Sequence, residues 1–188
     1  MSQDFSPYVS FLTSTLNSSI HSKAELEKLC HFHAGQLKLF PGDDPYHFLC
    51  ALADNETSFG YNNYPRFELG YSRSSLAFKR SKLLQAGHER WGDIAAMSFG
   101  SHQILWIVAR ELGYPENSSP MDLWSSVVSL PYVVEHLNSF HEYGAKNMTQ
   151  MVGMYNAGPG CLKDLRRWPK SYVDKFLVNY NNRIKGKA

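Results

Sequence analysis

Glu56 occupies a place where the local pattern asks for an apolar residue. A helix running from Tyr46 to about Asn55 gathers Phe48, Leu49, Leu52 and Ala53 into one stripe at 100° per residue. Glu56, four residues beyond Leu52 and seven beyond Leu49, projects onto the middle of that stripe. A carboxyl at the apolar end of a helix loses hydration, and this raises its pKa above the free value of about 4.3. A Glu that keeps its proton near neutrality can give it to a leaving oxygen, and glycosidic cleavage requires such an acid. The plain alternative is a helix end turning one residue toward water.

Other chemistry-bearing residues are scattered. Glu68, Glu89 and Asp93 lie in an aromatic, irregular stretch from Gly60 to Trp91 and just beyond it, where a second carboxylate could position water or simply be solvated. Tyr61, Tyr64, Phe67 and Tyr71 of the same stretch could stack on sugar rings or pack on the core. His31 and His33 form an H-x-H pair, but on a helix that spacing points to different faces, so no metal site is expected. Cys30, Cys50 and Cys161 are odd in number and lack a C-x-x-C pair, which argues for reduced, buried thiols.

The elements that must position these residues read as helices. Apolar residues recur three and four apart along the chain, and no segment sustains two-residue alternation, so the fold class is mostly α. Residues 1–40 read as an N-terminal helical extension of two short helices, the second from Ser22 to Leu39. The turn Pro41-Gly42-Asp43-Asp44-Pro45 closes it, and Asp44 with Pro45 caps the helix that leads to Glu56. Further helices are expected from Ser75 to Gln85, from Ser98 to Leu112 and from about Pro131 to Tyr143. Two more run from Asn147 to Tyr155 and onward from a Ser171 cap, the last with Tyr172, Val173, Phe176, Leu177 and Tyr180 facing inward.

Composition narrows the class. The chain has 188 residues, 43% hydrophobic and 19% charged, which fits one globular domain able to bury its core without staples. A net charge of +2 excludes the basic excess of a dedicated nucleic-acid binder. Eight basic residues between Lys163 and Lys187 face only Asp164 and Asp174, which suits a polyanionic surface or a solvated helix face. The opening MSQDFSPYVSFLTSTLNSS has neither a basic n-region nor an unbroken apolar core. The expectation is a chain without a signal peptide or integral membrane segment, made in the cytoplasm.

Three separated motifs then converge. Asn55-Glu56-Thr57-Ser58-Phe59 resembles the Glu-Ser-x-Phe element of the soluble (SLT-type) lytic transglycosylases. Ser98-Phe99-Gly100-Ser101-His102-Gln103-Ile104 resembles their Ser-x-Gly-Leu-Met-Gln-Val, and Met154-Tyr155-Asn156-Ala157-Gly158-Pro159-Gly160 their Ala-Tyr-Asn-Ala-Gly-Pro-Gly. Arg66-Phe67-Glu68 is similar to an Arg-Tyr-Glu-Pro segment that some phage and bacterial members carry. The resemblance spans about Asp44 to Tyr180 in matching order.

That resemblance implies a lysozyme-like catalytic domain, residues 41–188, cleaving the β-1,4 bond between N-acetylmuramic acid and N-acetylglucosamine of peptidoglycan. Attack by the muramyl C6 hydroxyl would leave 1,6-anhydro ends, with Glu56 first acid, then base. Substrate-binding roles follow for Thr57, Phe59, Glu68, Ser98, Gln103, Tyr155 and Asn156. Ser98 would bond near the reacting sugar, Gln103 would orient its polar groups, and Tyr155 would lie beside Glu56. Ser98 could also be merely an N-cap, and Tyr155 and Asn156 merely a helix terminus. No cofactor is implied, the partner is the peptidoglycan glycan strand, and the enzyme is expected to act as a monomer. A phage endolysin or virion-associated wall-opening enzyme fits the absent leader. The rival expectations are a hydrolysing muramidase using Glu68 or Asp93 and a non-catalytic wall-binding or virion component. Ser101 and His102 replace the Leu-Met pair, so an apolar wall against the sugar is expected to be polar here.

Overall fold

The computed structural model describes residues 22–186. The earlier of the two expected N-terminal helices lies outside the described residues, as does Lys187. Among the described residues eight α-helices and a three-stranded antiparallel sheet are joined by short 3-10 turns. No described helix is long and apolar enough to cross a membrane.

Helix α1 (Lys23–Ala34) begins at a capping box, in which Ser22 and Glu25 bond reciprocally, and buries Leu26, Cys30 and His33. It ends well before Leu39, and it packs against α2 (Pro45–Thr57) and α6 (Ser126–Ser139). Asp44 caps α2, its Oδ1 accepting from the His47 amide at 2.8 Å, and Pro45 fills the first turn. From Phe48 to Ala53 every residue of α2 is fully buried, so this is the central helix rather than a two-faced one. Helix α8 (Lys170–Ile184) lies along it, Phe176 packing on Phe48 with 5.1 Å between ring centroids. Arg183 of α8 reaches Asp54 of α2 at 2.5 Å.

The expected helix at 75–85 is two helices, α3 (Leu76–Arg80) and α4 (Lys82–Trp91). Ser81 ends the first and caps the second, its hydroxyl accepting from the Leu84 amide. The expected helix from Ser98 to Leu112 is corrected more deeply. Its first half is sheet: β1 (Arg66–Phe67), β2 (Met97–Phe99) and β3 (Ile104–Leu105) pair in that order, with Ser98 opposite both Arg66 and Leu105. Only Trp106–Glu111 is helical, as α5. Two- and three-residue strands are too short to display a two-residue period, whereas the apolar residues of strand and helix run on together.

Helix α6 starts five residues before Pro131. Proline there removes one amide donor, but both Pro131 and Val127, whose carbonyl would have accepted, are exposed, so water can replace that bond. Helix α7 (Met148–Ala157) opens on an Asn147 cap and stops at Gly158, whose φ of 75° suits glycine. Pro169, not Ser171, precedes the first residue of α8. Cys30, Cys50 and Cys161 are free and buried.

Candidate active site

Glu56 sits in the last turn of α2, at the floor of a groove of about 720 Å³. Strand β2, α5, α6 and α7 supply the walls, and the Glu56 side chain is only 6% exposed. Its neighbours decide its proton. Burial is the largest influence and raises the carboxyl above its ordinary value, with the nearby Glu68 acting in the same direction. Three groups oppose this: the Tyr172 phenol donates to Oε1, the Arg66 guanidinium lies 4.0 Å from Oε2, and the Lys175 ammonium is near. Burial wins, leaving the acid raised but held beside groups that stabilise its anion.

Tyr172 was read from the sequence only as an inward-facing residue of the last helix. Tyr155, expected beside Glu56, lines the same groove and feels the Glu56 charge, but its hydroxyl donates to the His102 carbonyl at 2.7 Å, so the phenol bonded to the carboxyl is Tyr172. Both phenols are pushed well above their usual range, first by burial and then by the charge of Glu56, so both act as donors. The α2–α8 packing that brings Tyr172 to Glu56 joins residues 116 apart, beyond the reach of local periodicity.

Ser98 and Gln103 line the groove but spend their hydrogen bonds on the protein. The Ser98 hydroxyl, 1% exposed, points to Gln103 Oε1 at 2.9 Å and Glu68 Oε1 at 3.1 Å. It is a strand residue and not an N-cap. Gln103 sits at a φ of 53°, its amide donating to the carbonyls of Gly100 and Tyr64. Through these bonds the pair also sets Glu68, while both residues stay in the groove lining where sugar contacts were expected of them. Glu68 lines the groove, its Oε1 also receiving Arg66 Nε at 2.6 Å, so one guanidinium faces both carboxylates. Asn156 is exposed at the end of α7 and lines the groove.

Thr57 and Phe59 do not line the groove, which corrects the substrate contacts expected of them. Thr57 is 1% exposed; its hydroxyl donates to the Ser101 carbonyl at 2.8 Å and accepts from the Gly60 amide. It ties the end of α2 to the β2–β3 turn. Phe59 lies beneath the Arg183 guanidinium, 4.2 Å from its ring centroid. Ser101 and His102 are buried as well and form no wall against a ligand. Their chain runs from Ser126 to Ser101 to His102 Nδ1, while His102 Nε2 donates to the Leu49 carbonyl at 3.0 Å. Burial holds the His102 ring down to a pKa of about 4, so it stays neutral and joins the turn to the middle of α2.

Asp93 is 69% exposed beside His88 and outside the groove lining, so it cannot assist Glu56. His31 edges the Tyr46 ring while His33 bonds Gln36. The groove thus offers two carboxylic acids raised by burial, Glu56 and Glu111, a third carboxyl, Glu68, set by Arg66 and Ser98, a fourth at Glu142, and the exposed amide of Asn156. Proton donation to a polar ligand followed by proton recovery is within its chemistry. The chain matches no protein-family model, no curated protein and no solved structure.

Proposed function

We propose that the chain is a peptidoglycan lytic transglycosylase with a lysozyme-like α fold. The observation that carries this reading is a carboxylic acid, 6% exposed and raised by burial, at the floor of an open groove. The three motifs resembling SLT-type lytic transglycosylases contribute Glu56, Ser98, Gln103, Tyr155 and Asn156 to that same groove.

In the proposed reaction Glu56 gives its proton to the glycosidic oxygen, and the bond from that oxygen to the muramyl anomeric carbon breaks. Positive charge develops at the sugar as Glu56 becomes an anion, which Tyr172 and Arg66 stabilise. The muramyl C6 hydroxyl then closes on the anomeric carbon, and its proton returns to Glu56. The products are a free N-acetylglucosamine C4 hydroxyl and a 1,6-anhydromuramyl end, with no water consumed.

A second reading, a hydrolysing muramidase, is favoured by one feature: Glu68 shares the groove and its second oxygen is not held by Arg66 or Ser98. Digestion of purified sacculi followed by mass spectrometry of the muropeptides separates the two. Anhydro ends are expected, with a loss of about 10²–10⁴-fold in Glu56→Gln. Reducing ends that disappear in Glu68→Gln favour the hydrolase. Wall binding unchanged in Glu56→Gln, with no cleavage by the parent, indicates a binding component.

A further inference from the structure

His136, in the last turns of α6, lines the groove with its ring edge-on to Phe140 and tilted against Tyr155, 4.6 and 5.7 Å between centroids. Among the described residues neither of its nitrogens has a hydrogen-bond partner. His33, His88, His102 and His141 each meet a carbonyl or amide oxygen instead. Neither nitrogen is sealed away from solvent, so both are open to a ligand or water in the groove. Burial also holds its pKa down to about 4, so at neutral pH one nitrogen donates and the other accepts.

The surroundings limit what can complete it. Leu105, Val108 and Leu112 line the groove from β3, α5 and the residue after it, α5 packs on α6, and Glu111, Ser139 and Glu142 add polar groups to the same lining. A neutral imidazole and an aliphatic patch together suit a group with a polar amide and an apolar methyl. We propose that His136 recognises the acetamido group of an N-acetylhexosamine ring, its amide bonding the imidazole and its methyl resting on the aliphatic patch. This rests on the groove being a glycan site and adds a basis for selecting acetylated sugar. A deacetylated ring would bring an ammonium, with no acceptor for the imidazole N–H and no methyl for the patch.

Calorimetric titration of Glu56→Gln protein, which is slowed too far to consume the ligand during the measurement, with the N-acetylglucosamine tetramer and its fully deacetylated counterpart tests this. The acetylated tetramer should bind at least about tenfold more tightly, and adding His136→Ala or His136→Phe should weaken it about tenfold by removing one or two hydrogen bonds. His136→Phe preserves ring packing on Phe140 and Tyr155, separating loss of the nitrogens from loss of fold, and His136→Gln should recover part of the affinity. Equal affinity of parent and His136→Phe for the acetylated tetramer, or tighter binding of the deacetylated one, overturns the inference while leaving the groove a glycan site. No binding of either tetramer by the parent overturns the groove reading and the inference with it.

Discussion

At the scale of the residue, the chemistry rests on a balance around one carboxyl. Burial raises Glu56 while the Tyr172 phenol, Arg66 and Lys175 lower it. Tyr172→Phe keeps the ring but removes the donor to the carboxylate, so the pKa should rise further. The alkaline limb of the pH–rate profile, where the general acid is lost, should then move to higher pH, with a several-fold lower maximal rate because the anion is less stabilised. A limb that moves to lower pH would contradict that assignment. The same shift links to stability. A folded pKa above the unfolded one means that folding is favoured while the group is protonated, an advantage lost as pH rises through the folded value. Glu56→Gln cannot ionise, so it should melt at a higher temperature than the parent at neutral pH and equally in acid, as thermal denaturation at the two pH values would report. The acid was legible in the sequence as a carboxylate on an apolar stripe. Its phenolic partner was not, because Tyr172 reaches it only through the packing of α8 on α2.

At the scale of the element, two devices hold the site. One is the cap of α2: Asp44→Ala removes the bond to the His47 amide, and a loss of about 1 kcal/mol is expected in denaturant unfolding. The other is the turn between β2 and β3. Gly100 has a φ of 77°, and a Cβ there would lie 2.9 Å from the Leu123 carbonyl oxygen and 2.6 Å from Ser129 Oγ. Gly100→Ala should therefore cost about 1–3 kcal/mol through overpacking and backbone strain. Activity should fall beyond that loss, since the turn sets Ser98 and Gln103. The cap at Asp44 and the approximate extent of the helix from Asn147 to Tyr155 were readable because each depends on local bonds and local φ. The β2–β3 hairpin was not, since its pairing with β1 depends on residues some thirty positions away, and Pro131 misled because proline is favoured at a helix start yet tolerated on an exposed face.

At the scale of the molecule, the basic C-terminal stretch is spent partly on the fold and partly on surface pairs within itself. Arg183 is buried against Asp54, Lys175 donates to the Asn55 carbonyl at 2.6 Å, Arg166 pairs with Asp164 and Lys170 with Asp174. Arg167 donates to the Ala157 carbonyl at the end of α7. Arg183, Lys175 and Arg167 tie α8 and its approach to α2 and α7, whereas Arg166 and Lys170 pair at the surface with neighbours in the stretch. Removing Arg183 leaves Asp54 without its main partner; because that carboxylate is 23% exposed, the cost of Arg183→Ala should sit at the lower end for a broken buried pair, about 3 kcal/mol in denaturant unfolding. Sequence alone displayed the charge excess but not its pairing, which is created by tertiary packing. The mostly helical class was legible because apolar residues recur three and four apart along the chain, even though α2 is buried all round, whereas the groove exists only once α5, α6 and α7 stand around α2.

The most direct measurement is a carboxyl-¹³C NMR titration of the glutamates in the parent and in Glu56→Gln. The account predicts one resonance, absent from the variant, that titrates above the ordinary glutamate range and moves higher still in Tyr172→Phe. A Glu56 resonance titrating at or below that range would contradict it.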